Sequence, residues 1–190
     1  MSIHDPLELP QDLPVPVDDG AATHLNGATM PRIALPATDG SSFRVDHSPP
    51  GFDRLVLYAY PRTGRPGQPP LSPDWDRIPG ARGCTPESCG FRDHAADLAA
   101  AGAAVVGVST QDTEYQRDAV DRLRLPFPLL SDAELRLANT LRLPTFRIGP
   151  TALLKRLTLI VRDGVVDGVF YPVFPPDRHA EEVLAWLESQ

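Results

Sequence analysis

Val105-Val106-Gly107-Val108, a helical stretch from Thr113 to Leu123, Phe127 to Leu130, and a second helical stretch from Asp132 to Leu141 follow one another without a long loop. The first and third segments are short apolar runs of strand length, while the other two are longer and polar on one side. Strand, helix, strand, helix in this order predicts an α/β domain with parallel strands. Ser131 is the expected cap of the second helix. Working outward, Leu55-Val56-Leu57-Tyr58-Ala59-Tyr60 is a continuous apolar run that ends at Pro61. Such a run predicts a central strand buried on both faces. Upstream, Arg32 to Leu35 and Ser42 to Val45 flank Thr38-Asp39-Gly40 and predict a hairpin. Downstream, Leu153 to Val161 and Val165 to Tyr171 flank Asp163-Gly164 and predict an antiparallel hairpin. A last helix, Asp177 to Glu188, would bury Ala180, Val183, Leu184 and Leu187.

The chain has 190 residues, the length of one globular domain. A domain of this size buries roughly 70% of its unfolded-state surface, so its core needs no disulfide. With 18 Lys and Arg against 25 Asp and Glu the net charge is −7, and the basic residues are scattered among acids. That pattern argues against nucleic acid and anionic membrane as partners. No stretch approaches the roughly 18 apolar residues of a membrane span, and the first residues lack a signal peptide's basic start and apolar run. A cytoplasmic protein is expected. The prolines concentrate at 10–16, 61–79 and 172–176 and mark arms and loops. Residues 1–28, without periodicity, are expected to form an extended arm, and 29–190 the domain. From Pro61 to Gly83 the chain reads as loop, and a loop this long inside a domain is usually functional or disordered.

Cys84 and Cys89 are the only cysteines. Thr85 reads as a helix N-cap, Pro86 as the first helical residue and Glu87 as a first-turn acid, which places Cys84 just before the cap. Phe91, Ala95 and Leu98 give the helix one apolar stripe, and Gly102 ends it. A cysteine at the positive end of a helix dipole is a credible nucleophile, because free N–H groups and the dipole stabilise its thiolate. Five residues along an intact helix separate two Cα atoms by roughly 8 to 9 Å. A disulfide tolerates only about 7 Å, so a Cys84–Cys89 bond would require the first turn to unwind. This favours a redox cycle over a structural bridge. Two other readings stand beside it: an inert, packed pair of thiols, and a metal site with His94, whose spacing matches no standard zinc pattern.

Gly83-Cys84-Thr85-Pro86-Glu87-Ser88-Cys89-Gly90-Phe91-Arg92-Asp93 resembles the GCT-x3-CGFRD signature of the peroxiredoxin Q, or bacterioferritin-comigratory-protein, branch of the peroxiredoxins. Tyr58 to Pro61, Gly107 to Ser109, Phe127 to Asp132 and Lys155 to Val161 follow in that family's order. The resemblance implies a thioredoxin-like fold: a central mixed sheet flanked by helices, with an N-terminal arm and hairpin. It implies a thiol peroxidase without metal or organic cofactor. Cys84 matches the peroxidatic cysteine, Cys89 the resolving cysteine that joins it in an intramolecular disulfide, and Arg156 the arginine facing the peroxidatic sulfur. Hydrogen peroxide or an organic hydroperoxide would be the substrate and a thioredoxin-like protein the reductant. The chain would be a monomer or homodimer.

Read from the residues alone, Arg156 shares a strand face with Leu154, Thr158 and Ile160, where a cation needs a partner. The chain departs from the family's YP-x-x-x-T-PG start. Pro61 keeps its place, Arg65 stands where the hydroxyl belongs, and an insertion at 67–83 precedes Cys84. Thr63, two residues away, is the expected substitute donor to the peroxide, with a backbone N–H or Arg82 as the other candidates. Leu71, Trp75 and Ile78 of the insertion either line an apolar entrance or pack as a surface loop. Phe170, Tyr171 and Phe174 form either a docking surface or core. A thiol-disulfide oxidoreductase or redox sensor, and a non-catalytic binding domain, are the alternatives on the same fold.

Overall fold

The structure is a computed structural model in which residues 5–190 are described. A short antiparallel pair, β1 (Ala34–Pro36) and β2 (Ser42–Arg44), closes on the turn at Asp39-Gly40. The main sheet is built from β3 (Arg54–Ala59), β4 (Ala103–Ser109), β5 (Leu129–Ser131), β8 (Leu157–Arg162) and β9 (Val165–Phe170), in the spatial order β5-β4-β3-β8-β9. The three strands β3, β4 and β5 are parallel, and β8 and β9 are antiparallel to their neighbours. A small hairpin, β6 (Thr145–Ile148) and β7 (Thr151–Leu154), stands apart from the sheet.

The continuous apolar run at β3 is explained by two cores, one on each face. Leu55, Leu57 and Ala59 point into a cluster with Val106, Val108, Leu159 and the α4 helix (Arg136–Leu141). Val56, Tyr58 and Tyr60 point the other way, among Val105, Leu129 and Ile160. Four helices cover that second face: α1 (Cys84–Asp93), α2 (Ala95–Ala100), α3 (Thr113–Leu123) and α5 (His179–Glu188). They supply Phe91, Leu98, Ala119, Val183 and Leu187. Each large side chain buried this way contributes roughly 1.5–3 kcal/mol, so a strand that buries Leu55, Val56, Leu57 and Tyr58 on its two faces belongs in the middle of the sheet.

Residues 5–28 are docked on the domain. Ala22 and Leu25 join the first core, and Gly27, Ala28 and Met30 bond the backbone of Gly164 and Val166 along the outer edge of β9.

The prediction of a hairpin at Asp163-Gly164 holds: both residues have positive φ, 52° and 75°, which suits a tight two-residue turn. Elsewhere the structure corrects the reading. The run Leu153 to Val161 is interrupted at Lys155-Arg156, and its first part pairs with β6 across Gly149-Pro150, a turn dipeptide whose signal was there to be read. The α4 helix starts at Arg136 and not Asp132. Ser131 is no cap, because its hydroxyl donates to the Gln111 carbonyl at 2.7 Å. Asp132 does that work from a distance, accepting the Leu137 and Ala138 N–H groups at 3.0 and 2.8 Å. The helix expected through Phe91, Ala95 and Leu98 is two, jogged at His94, although Phe91 and Leu98 are both fully buried.

Gly107 fixes how the sheet supports α1. It pairs with Tyr58 on one side and Leu129 on the other, and lacking a side chain it lets the Tyr58 ring lie over β4. Tyr58 then stacks on Phe91 with centroids 4.5 Å apart and hydrogen-bonds Ser88 Oγ at 3.0 Å, both on α1. A Cβ on Gly107 would come within 2.5 Å of Leu129 Cδ2 and 2.7 Å of Tyr58 Cζ. Gly107→Ala should therefore cost about 1–3 kcal/mol, the usual range for overpacking, read as a lower urea midpoint at unchanged slope.

Candidate active site

The helix that carries both cysteines begins two residues earlier than the sequence predicts. Gly83, at φ 102°, turns the chain into α1, and its carbonyl accepts the first helical bond from Glu87 N–H at 3.0 Å. Thr85 is therefore inside the helix and not its cap, and Cys84 is the first helical residue. No side chain caps this end, so the N–H groups of the first turn are free of intrahelical partners. The positive φ and the Pro176 ring packed where a Cβ would stand both demand glycine at 83.

Cys84 is 2% exposed, and its sulfur has three polar neighbours. Arg156 Nη2 donates to it at 3.2 Å and the Arg62 backbone N–H at 3.4 Å, while the thiol itself donates to the Ala81 carbonyl at 3.5 Å. Arg156 sits at the break between β7 and β8, so it does not share a strand face with Leu154 as expected. Its need for partners is met nonetheless. At 3% exposed, it donates to Glu87 Oε2, to the Gly80 carbonyl at 3.2 Å and to the Arg82 carbonyl at 3.0 Å, besides the sulfur.

Glu87 was read only as a first-turn acid, yet it lies one helical turn after Cys84, fully buried, beside the same guanidinium. Burial pushes the Cys84 thiol up, Arg156 pulls it down, and the Glu87 carboxylate opposes Arg156, with burial prevailing. Glu87 is itself pushed up by burial against the pull of Arg156. Beside the helix dipole expected to favour the Cys84 thiolate stand two opposing influences with no local sequence signal, desolvation and the competing acid.

Pro61 is buried where β3 ends, and having no N–H it leaves the next one, on Arg62, to reach the sulfur. Thr63 lines the cleft above Cys84 but is fully buried. Its N–H and hydroxyl both donate to Gln111 Oε1, at 3.0 and 3.2 Å. Gln111, just after β4, was not foreseen. Neither was Tyr115, over whose ring the Arg62 and Arg65 guanidinium groups lie at 4.7 and 4.2 Å. Arg65 also pairs with Asp118 at 3.1 Å. Trp75 is 5% exposed, packs against Phe146 of β6 and is one of the residues lining the cleft.

Cys89 is half-buried on the same helix, and both cysteines are free thiols. Burial pushes the Cys89 thiol up, with Arg92 and Arg122 drawing it back. His94 faces Asp97 Oδ2 at 3.6 Å.

Comparison with known proteins places this arrangement. The redoxin family model matches residues 25–184. The chloroplastic peroxiredoxin Q of Suaeda salsa is 30% identical over 164 residues, covering 86% of this chain and 67% of that protein. The one from Gentiana triflora is 27% identical over 186 residues, covering 95% and 76%. Among solved structures, peroxidoxin BcpB from Mycobacterium tuberculosis superposes with a TM-score of 0.69 at 29% identity, over 86% of this chain and 96% of that one. PrxQ from Xylella fastidiosa, at 20% identity, shares the fold with a TM-score of 0.68 over 86% and 95%. The sheet order, the two cysteines on one helix and these relatives agree: the chain has the thioredoxin-like fold and belongs to the redoxin family, in its peroxiredoxin Q branch of thiol peroxidases.

Proposed function

We propose that the chain reduces peroxides at Cys84 and completes its cycle through Cys89. The observation that carries this is the sulfur of Cys84, at the head of α1 and the foot of a cleft, with a guanidinium and a backbone N–H both donating to it. Those two donors favour the thiolate, and they lie where a peroxide oxygen would develop negative charge. The thiolate attacks one peroxide oxygen, the O–O bond breaks, and the other oxygen leaves as alkoxide or hydroxide that takes up a proton. Cys84 becomes a sulfenic acid. The Cys89 thiol then attacks that sulfur and releases water, giving the disulfide. Two thiols of a thioredoxin-type protein reopen it by exchange. With the Thr63 hydroxyl held by Gln111, the Arg62 N–H takes over as the donor to the peroxide.

Pro69, Pro70, Leu71 and Trp75 in the lining of the cleft support organic hydroperoxides as substrates alongside hydrogen peroxide. Free thiols in such a cycle fit a reducing compartment such as the cytoplasm. The backbone bonds along β9 support a monomer, or a dimer formed away from that edge.

One equivalent of hydrogen peroxide should remove two hydrogens from the intact mass of the reduced protein. In Cys89→Ser the reaction should stop at a sulfenate on Cys84, captured by a sulfenate-specific trap. No oxidation within minutes would leave the binding-domain reading in its place. Charge competition gives a pH prediction. Glu87→Gln removes the anion that opposes Arg156, so the pH midpoint of Cys84 alkylation should move down. Arg156→Met should move it up and slow peroxide reduction by about 10²-fold or more. Finally, Trp75→Ala should change the ratio of turnover on a bulky alkyl hydroperoxide to that on hydrogen peroxide; an unchanged ratio would assign Trp75 to packing alone.

A further inference from the structure

The N-terminal arm runs over the front of the Cys84 cleft, upstream of the stretch 25–184 that the family model matches. Its first part is tied to Arg82 and Gly83 and borders the cleft at Pro6. Arg82, 7% exposed, donates from Nη2 to the Asp5 carbonyl at 2.6 Å and to the Glu8 carbonyl at 2.9 Å. Pro6 is buried and forms part of the wall of the cleft that Cys84 floors. Leu9 Cδ1 packs on Gly83, 3.1 Å from where a Cβ would stand. The second part of the arm is anchored elsewhere: Asp19 accepts from Lys155 Nζ and from Tyr171 Oη, each at 2.7 Å.

The attachment points of the first part are the residues that must move in the redox cycle. While α1 is intact the two cysteine Cα atoms stand roughly 8 to 9 Å apart, beyond the reach of about 7 Å that a disulfide allows. Joining Cys84 to Cys89 unwinds the first turn, and Gly83 and Arg82 lead directly into it. Arg82 also offers its carbonyl to Arg156 at 3.0 Å, so its displacement is felt on both sides of the cleft.

We infer that the arm is a strap over the peroxide site, fastened by Arg82 while both thiols are reduced and let go when Cys84 and Cys89 join. The inference rests on the two-cysteine cycle proposed above. Coupling of this kind is reciprocal: an arm held better by the dithiol form disfavours the disulfide by the same factor. The strap therefore closes one wall of the substrate cleft and holds the Cys84–Cys89 pair toward its reduced side.

The Glu8–Leu9 peptide bond lies between the Arg82 tether and the Gly83 contact, which makes it a reporter of the arm's release. The test is limited proteolysis of the full chain with a glutamate-specific protease, on dithiol and disulfide forms. The disulfide is made with oxidised glutathione so that the result does not depend on peroxide turnover. Cleavage after Glu8 should be at least roughly tenfold faster in the disulfide form, while cleavage after Glu188, at the far end of α5, stays constant. Equal rates after Glu8 in the two forms would overturn the strap. A second readout is the disulfide-to-dithiol ratio in a fixed glutathione buffer. Arg82→Gln, which loses both carbonyl bonds, should raise it about tenfold. Leu9→Ala, which leaves Arg82 in place, should raise it less, in the same direction. An unchanged or lower ratio in both variants would overturn the reciprocal coupling. If no disulfide forms even in excess oxidised glutathione, the two-cysteine cycle itself falls and the strap with it.

Discussion

One buried cation organises this molecule. A lone guanidinium taken out of water costs several kcal/mol, and it is tolerated only where carboxylate and carbonyl groups surround it. Arg156 gathers Glu87 from α1, the carbonyls of Gly80 and Arg82 from the long loop, and the sulfur of Cys84. The end of the long loop and the start of α1, adjacent in sequence, are thereby fixed to the β7–β8 break, which lies far along the chain. Only arginine, with five donors in a planar fork, can serve four such groups at once. Arg156 reaches this nest from the break where the chain passes from the small hairpin to the main sheet, between Leu154 and Leu157.

Beneath the cation, the support of α1 comes from apolar contact. Tyr58 reaches from the sheet to Phe91 and Ser88, and Ala180 and His179 of α5 close in from the far side. His179 is buried and bonds Thr158 of β8 through Nε2 at 2.7 Å. The helix is therefore gripped at its middle by the sheet and α5, while its first turn is held by Arg156, the loop and the arm. That division suits the proposed cycle, in which the helix stays in register and gives way at one end.

Much of the fold was legible because β3, β4 and the α3 helix carry period and length signals that tertiary context does not override. Thr113–Leu123 matches the expected helix in full, and Asp112 caps it by accepting Tyr115 N–H at 2.7 Å. What misled the reading were places where a side chain was spent on something remote. Ser131 looked like a cap and bonds Gln111 instead; Thr85 looked like a cap, but Gly83 had already turned the chain. At the site, Cys84, Cys89 and Arg156 were legible from motif and spacing. Glu87 was visible only as a helix-start acid, since nothing local reveals that the residue one turn on faces a guanidinium 69 positions away. Gln111 and Tyr115 carried no signal at all. Their roles arise from where the β4–α3 connection crosses the cleft, which is a property of topology and not of any short stretch.

The hydrogen bonds along the outer strands bear on how the protein meets its own copies. At one margin of the sheet, Gly27, Ala28 and Met30 occupy the backbone of Gly164 and Val166. At the other, Thr38 bonds both the carbonyl and the N–H of Leu129, and Ala37 bridges Leu130. An open strand is a template for uncontrolled pairing with another chain, and here the segments that precede β3 blunt both margins. In the cycle proposed for Cys84 and Cys89, the first turn of α1 would unwind and expose apolar surface each time. The segments on these margins shorten the free row of backbone donors and acceptors on which aggregates could grow.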